Sequence, residues 1–400
     1  MHKILVLTST FPRWKNDTEP PFVFELCKQL SKEFDVHVLA PSSKGSLNKE
    51  FIQGIKVSRF RYFFESYENL CYQGGILANL KAQPMRYLLI PFYFFFQLYA
   101  AYNLIKQENI RFIHAHWIIP QGISAYFLKL ISQNPVQVLC TSHGGDLFSL
   151  KGFIAQHIKR KVLQSIDGIT VVNSVMEQEV YVLCSPLKPN IEIIPMGVDL
   201  QRFTPALKQQ RPFSMLFVGR LVEKKGLAYL INALPEIVRE FPETQLTIIG
   251  TGPQKLTLEK LVHDQQLETN VHFLGAIPNT ELPHYYQQNQ LAIFPFIVAD
   301  NGDREGLPVV VSEAIASGCC VITTDLPGLD DIASHEQGVI VVSRKNSQAI
   351  IDIVSQLFRN PDKIKEHSKI ALRNITEKQS WEVIAKRYAH TIHQLIKTVQ

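Results

Sequence analysis

Four hundred residues exceed one ordinary hydrophobic core, so two domains are expected. A hydrophobic share of 46% with 19% charged residues describes a globular chain and excludes a disordered one. Net charge is only +5, but residues 1–205 carry 21 Lys and Arg against 15 Asp and Glu, which favours an anionic membrane surface or a phosphorylated lipid as partner.

Short apolar runs alternate with amphipathic ones along the whole chain, the rhythm of parallel sheets flanked by helices. The first half predicts strands at Lys3–Leu7, Val36–Ala40, Ile55–Arg61, Ile110–Ala115, Val136–Thr141, Ile169–Val172 and Ile191–Pro195. Helices at Phe22–Glu33, Tyr87–Gln107, Gly122–Gln133, Phe153–Gln164 and Ser174–Cys184 separate them. The second half restarts with strands Met215–Gly219, Gln245–Ile249, Val271–Leu274, Leu291–Phe294 and Val321–Thr323. Its helices are Leu227–Phe241, Gln254–Gln266, Thr280–Gln288, Pro308–Ser317 and a terminal Ser380–Lys397. The fold class is therefore α/β with two doubly wound, Rossmann-like domains, 1–205 and 206–379, followed by a helix in 380–400. The polar stretch between Pro205 and Pro212 reads as the linker.

No recognition helix, zinc finger or basic segment with interleaved stacking aromatics is present, so nucleic acid is not implied. Six scattered cysteines without a Cys-x-x-Cys pair point to reduced core thiols and no zinc. The apolar start is too short for a signal peptide, which places the protein in the cytoplasm. Tyr87–Ile105 is long enough to span a bilayer, but Pro91, Gln97 and Asn103 interrupt it, which predicts a buried or interfacial helix and loose attachment to the inner face of a membrane.

The segment from Asp303 to Asp325 carries the most chemistry. Glu305 precedes Gly306 in a turn, Pro308 suits the first helical position, and Glu313 follows about two turns on. Backbone N–H groups at such a helix start suit phosphate oxygens, and carboxylates suit sugar hydroxyls. Upstream, Phe217-Val-Gly-Arg-Leu-Val-Glu-Lys-Lys-Gly226 sets Arg220 and Lys225 on a strand-to-helix loop, where two cations can clamp a diphosphate. The first strand runs into Thr8-Ser-Thr-Phe-Pro-Arg13 and lacks a Gly-x-Gly-x-x-Gly turn, which excludes a dinucleotide-dependent hydride-transfer enzyme. His114 and His116 fall on one strand face without a third ligand nearby, so packing or acceptor binding is favoured over metal.

These strings resemble retaining GT-B glycosyltransferases of family 4, of the bacterial surface-polysaccharide type. The resemblance implies two domains facing across a cleft, with a nucleotide-diphosphate sugar as co-substrate and no cofactor or metal. The C-terminal domain would bind the donor, and the N-terminal domain would present a lipid-linked or polysaccharide acceptor. It gives catalytic roles to His143, Arg220, Lys225 and Glu305, with Lys224 a surface neighbour. Gly219, Gly252, Ala276, Ile277, Gly306, Leu307, Pro308, Val309 and Glu313 fall to donor binding. Arg13, His116, Trp117 and Asp146 fall to the acceptor side. It also implies that the leaving phosphate takes the acceptor proton; no side-chain nucleophile is identifiable in the sequence. Two features depart from the pattern: a glycine-rich loop is missing after the first strand, and Asp325–Asp331 replaces a Gly-Gly-x-Pro-Glu segment. A nucleotide-sugar epimerase of the same fold and a non-catalytic binding subunit are the alternatives.

Overall fold

The computed structural model describes residues 1–397 apart from 15, 16, 18, 20, 188, 206–210 and 332. Packing divides the chain into two compact units, Met1–Pro195 with Ile384–Gln400, and Met196–Val383.

In the first unit the strands are β1 (Lys3–Leu7), β2 (Asp35–Pro41), β3 (Lys49–Ile52), β4 (Ile55–Phe60), β5 (Phe112–His116), β6 (Gln137–Thr141), β7 (Gly168–Val171) and β8 (Ile191–Ile193). They form one sheet in the order β3-β4-β2-β1-β5-β6-β7-β8, parallel except for the β3–β4 hairpin. Ile4 to Leu7 are fully buried because helices cover both faces, which is why this strand reads as an unbroken apolar run. Helix Ser174–Cys184 starts where Asn173 accepts the Met176 N–H at 2.9 Å. The last residues of helix Trp381–Lys397 close this unit, with the Tyr388 ring 5.5 Å from His114 and Arg387 donating to the Ile193 carbonyl at 2.6 Å. The strand order reverses between β1 and β5, and a crevice at such a switch point is where open α/β sheets hold ligands.

The second unit has β9 (Arg211–Val218), β10 (Gln245–Ile249), β11 (Val271–Gly275), β12 (Asn289–Phe294), β13 (Cys320–Thr324) and β14 (Ile340–Val342). All are parallel, in the order β11-β10-β9-β12-β13-β14, with the switch point between β9 and β12. Inward leucines and isoleucines of helix Leu227–Glu240 pack on the sheet, and helix Ser347–Arg359 begins at Asn346, which accepts from Ala349 N–H.

Several elements depart from the sequence reading. β3, β14 and helices Ile76–Ala82, Gly145–Phe148, Ser347–Arg359 and Pro361–Gln379 were not expected. Pro308 is an extended cap residue (φ −80°, ψ 103°), so the helix begins at Val309. The units divide at Pro195/Met196 and not near 205, because Val198 N–H donates to the Gln379 carbonyl, Gly197 packs on Trp381, and Val198 and Phe203 join the second core. The expected linker residues Ala206–Gln210 lie outside the described residues.

Candidate active site

At the switch point of the second unit, the exit of β9 meets the exit of β12. Gly226 adopts φ +64°, and a Cβ there would strike the Pro295 carbonyl, so only glycine permits this approach. The Ile297 N–H then donates to the Lys224 carbonyl at 2.9 Å. As a result Lys224 Nζ lies 3.2 Å from Asp303 Oδ1 and 3.4 Å from Glu305 Oε1, while Lys225 Nζ lies 3.2 Å from Glu305 Oε2 and 4.9 Å over the Phe296 ring. Burial alone would raise the Glu305 carboxyl, but the Lys225 and Lys224 ammoniums outweigh it and hold it down at about 2. Lys225 is itself lowered by burial, against the pull of Glu305. Two lysines and two carboxylates meet in this cluster, with Arg220 exposed on the same loop and the N-terminus of helix Val309–Ala316, which has no side-chain cap, following Glu305 in the chain.

Three loops frame that cluster through their backbones. Gly219 N–H donates to the Ile249 carbonyl, Leu221 N–H to Thr251, Gln254 N–H to Leu221 and Gly250 N–H to Gly275. Gly252 packs so tightly on the Leu221 carbonyl that a Cβ has no room. Ala276 is exposed beyond β11, while Ile277 packs partly on the core. Gly306 and Pro308 are buried, and Leu307 and Val309 are half-buried. Glu313, further along the helix, is buried and accepts from the Tyr286 hydroxyl at 3.2 Å. Burial raises its carboxyl, opposed by the Arg202 charge and by hydrogen bonds to Tyr286 and Asn279.

In the first unit, β5 and β6 bring three imidazoles together. The His114 and His116 rings are 4.3 Å apart, and His116 stacks on His143 with Nδ1 3.0 Å from His143 Nε2. His114 Nε2 is 2.8 Å from Thr141 Oγ1. Burial, with His114 beside it, pushes His143 down to about 3, so the ring is neutral near pH 7. His143 is half-buried, and Phe22 and Trp117 rings lie 4.9 Å from it. Trp117 adopts φ +76°, an unfavourable conformation for a bulky residue. It is held by its N–H to the Thr141 carbonyl at 2.7 Å and by the neighbouring Ile118 N–H, which donates to Asp146 Oδ2 at 2.6 Å. With its amide oriented to satisfy both ends, Gln121 donates to the His116 carbonyl and accepts from the Ser9 N–H, which ties the β1 and β5 exits together.

Two family models cover most of the chain. Residues 21–202 match glycosyltransferase family 4, and residues 200–374 match glycosyl transferases group 1. The chain belongs to glycosyltransferase family 4. This glycosyltransferase is 28% identical over 299 residues to a GDP-mannose-dependent α-(1-6)-phosphatidylinositol monomannoside mannosyltransferase of Mycobacterium tuberculosis, covering 72% of this chain and 77% of that one. It is 26% identical over 234 residues to the amylovoran biosynthesis glycosyltransferase AmsK of Erwinia amylovora, covering 58% and 56%. Its fold resembles sucrose-phosphate synthase of Thermosynechococcus elongatus (TM-score 0.78, 19% identity, all of both chains) and Anabaena HepE in complex with UDP-glucose (TM-score 0.73, 14% identity, 98% and 100% of the chains). The glycosyltransferase has the two-domain GT-B fold.

The structure redraws some expected roles. Lys224 is no surface neighbour, because the short turn Glu223–Lys225 turns both lysines toward Glu305. Asp146 is buried and accepts from Ile118 N–H, Ser142 Oγ and His143 N–H, so it positions the strand exit and presents no oxygen to an acceptor. The Arg13 guanidinium is also buried, in a bidentate pair with Asp17 at 2.8 and 2.7 Å, stacked between Trp14 and Tyr72. It shapes the first loop. His116 is 1% exposed, behind His143, which its Nδ1 meets. Glu305 and Glu313 share no partner among the described residues: one belongs to the lysines, the other to Tyr286. Asp303, Tyr286 and Arg202 have no role in the sequence reading, yet they meet Lys224 and Glu313. Among the described residues no group of three His, Cys, Asp or Glu is placed to hold a metal ion.

A buried carboxylate loses a charge-assisted acceptor when it becomes an amide, so Glu313→Gln is expected to weaken binding of a nucleotide sugar by about 1–3 kcal/mol. Calorimetric titration with the folded variant checks this, and unchanged affinity removes Glu313 from the site.

Proposed function

We propose that the protein is a retaining glycosyltransferase that moves a hexose from a nucleotide-diphosphate sugar to a growing, lipid-linked cell-envelope oligosaccharide or polysaccharide, working in the cytoplasm at an anionic membrane surface. The observation that carries this reading is the Lys224–Lys225–Glu305 cluster at the β9/β12 switch point, beside an uncapped helix N-terminus. The activities for which the relatives are named, on a phosphatidylinositol mannoside and in amylovoran biosynthesis, support the acceptor class. In this reading the second unit binds the donor, and Arg220 and Lys225 stabilise the diphosphate as the bond between the anomeric carbon and phosphate oxygen breaks. The acceptor oxygen bonds to that carbon on the same face, and its proton passes to the leaving phosphate. Glu313 takes ribose hydroxyls, Glu305 with the Gly306 and Leu307 backbone orients the sugar, and the first unit holds the acceptor near Trp117 and His143.

A panel of nucleotide sugars incubated with envelope lipid extract tests the reading. A glycolipid product of retained anomeric configuration is expected. Donor consumed without acceptor identifies an epimerase instead, and an inverted product overturns the mechanism. Because the positive charge at the diphosphate comes from side chains, transfer is expected to survive chelation of divalent ions. Complete loss of turnover with EDTA, restored by a divalent metal, shows otherwise.

A further inference from the structure

Helix Pro84–Glu108 is, among the described residues, the one helix long and apolar enough to cross a bilayer, yet its two faces differ. Tyr93, Gln97, Ala101 and Ile105, spaced by four, are buried. Gln97 is 0% exposed, accepts from Ser124 Oγ at 2.7 Å and lies beside the Tyr93 hydroxyl, which reaches Gln121. A polar network sealed against the protein fixes this face inside the fold. The opposite face is bare: Leu88 is 68% exposed, Phe95 63% and Tyr99 60%, with Phe92 between them. Phe95 stacks parallel to Tyr99, and Phe92 meets Phe63, extending the ridge. So large an apolar face on one helix is more than scattered exposed side chains account for.

Charge identifies what covers it. From Asn69 to Ile166 the chain has nine Lys and Arg, Lys81, Arg86 and Lys106 among them, against two acidic residues; Asp146 and Lys159 are buried and Lys129 pairs with Asp167, which still leaves the exposed charge basic. A second copy meeting the same face would bring like charges together, whereas an anionic bilayer neutralises them. We propose that the Leu88–Phe92–Phe95–Tyr99 face seats the enzyme on anionic lipid, lying in the interface about 5–10 Å deep and not crossing it. This rests on the membrane location in the proposed function and adds the face and the mode of attachment.

Flotation of the full chain with vesicles of phosphatidylcholine containing about 30% phosphatidylglycerol tests it. Wild type is expected to float at low salt and to lose about tenfold of its binding at about 0.5 M salt or on pure phosphatidylcholine. The triple variant Phe92→Ser/Phe95→Ser/Tyr99→Ser is expected to lose about tenfold or more, while Leu256→Ser, a more exposed apolar position on the second unit, binds as wild type. If the triple variant does not fold, Phe95→Ser alone is read for a loss of about threefold. Undiminished binding by the ridge variant overturns this face but leaves the membrane location standing. No vesicle binding by wild type overturns both. Retention through high salt and alkaline wash shows a span, and a lipid-free dimer that the ridge variant dissolves shows a second copy as the occupant; either result overturns the proposal.

Discussion

Replacing Lys225 with glutamine is expected to lower turnover by about 10²–10³-fold, the cost of removing one preorganised charge or donor from a developing anion. Lys225 is buried, 3.2 Å from Glu305 and backed by the Phe296 ring, so its charge acts in a medium that screens little. Removing one partner of a buried pair ordinarily costs about 3–5 kcal/mol of stability. Here Lys224 stays 3.4 Å from Glu305, and glutamine, one methylene shorter than lysine, keeps most of the stem and a donor, so the variant should fold. Arg220→Ala, at an exposed position, should cost less. Steady-state rates beside thermal unfolding make the measurement, and a loss below about fivefold in a folded Lys225→Gln protein removes this lysine from the reacting centre.

His143→Ala is expected to reduce turnover by about tenfold or more while leaving affinity for the free nucleoside diphosphate nearly intact. The imidazole belongs to the first unit, whereas Lys225, Glu305 and Glu313 belong to the second. Its Nε2 faces His116, which leaves Nδ1 to meet a sugar hydroxyl, and a neutral ring does so by hydrogen bonding and not by charge. His143→Asn, which retains a donor and an acceptor, should recover part of the loss. A variant that no longer binds nucleotide, or one as fast as wild type, sinks the assignment.

Strand positions were legible because buried parallel strands such as Ile4–Leu7 and Leu291–Phe294 are unbroken apolar runs. β3, Lys-Glu-Phe-Ile, was not legible: it is a half-exposed edge strand whose pairing depends on a partner and not on its composition. Helix Pro361–Gln379 is polar over most of its surface, and Pro361 at its start was the one available sign. The candidate site shows the same division. Motifs located Glu305, Lys225 and His143, but which groups neutralise one another is set by turns. Glu223–Lys225 brings a second lysine inward, and Asp17 claims Arg13, contacts that no spacing rule encodes.

The frame around the β9, β10 and β11 exits is built from main-chain bonds, Leu221 to Thr251 and Gly250 to Gly275 among them, and such bonds are indifferent to most side chains. Side chains on these loops can therefore change without reshaping them. Length is the constrained variable: one inserted residue at Gly250–Gly252 would break several of these bonds together, whereas many substitutions would break none.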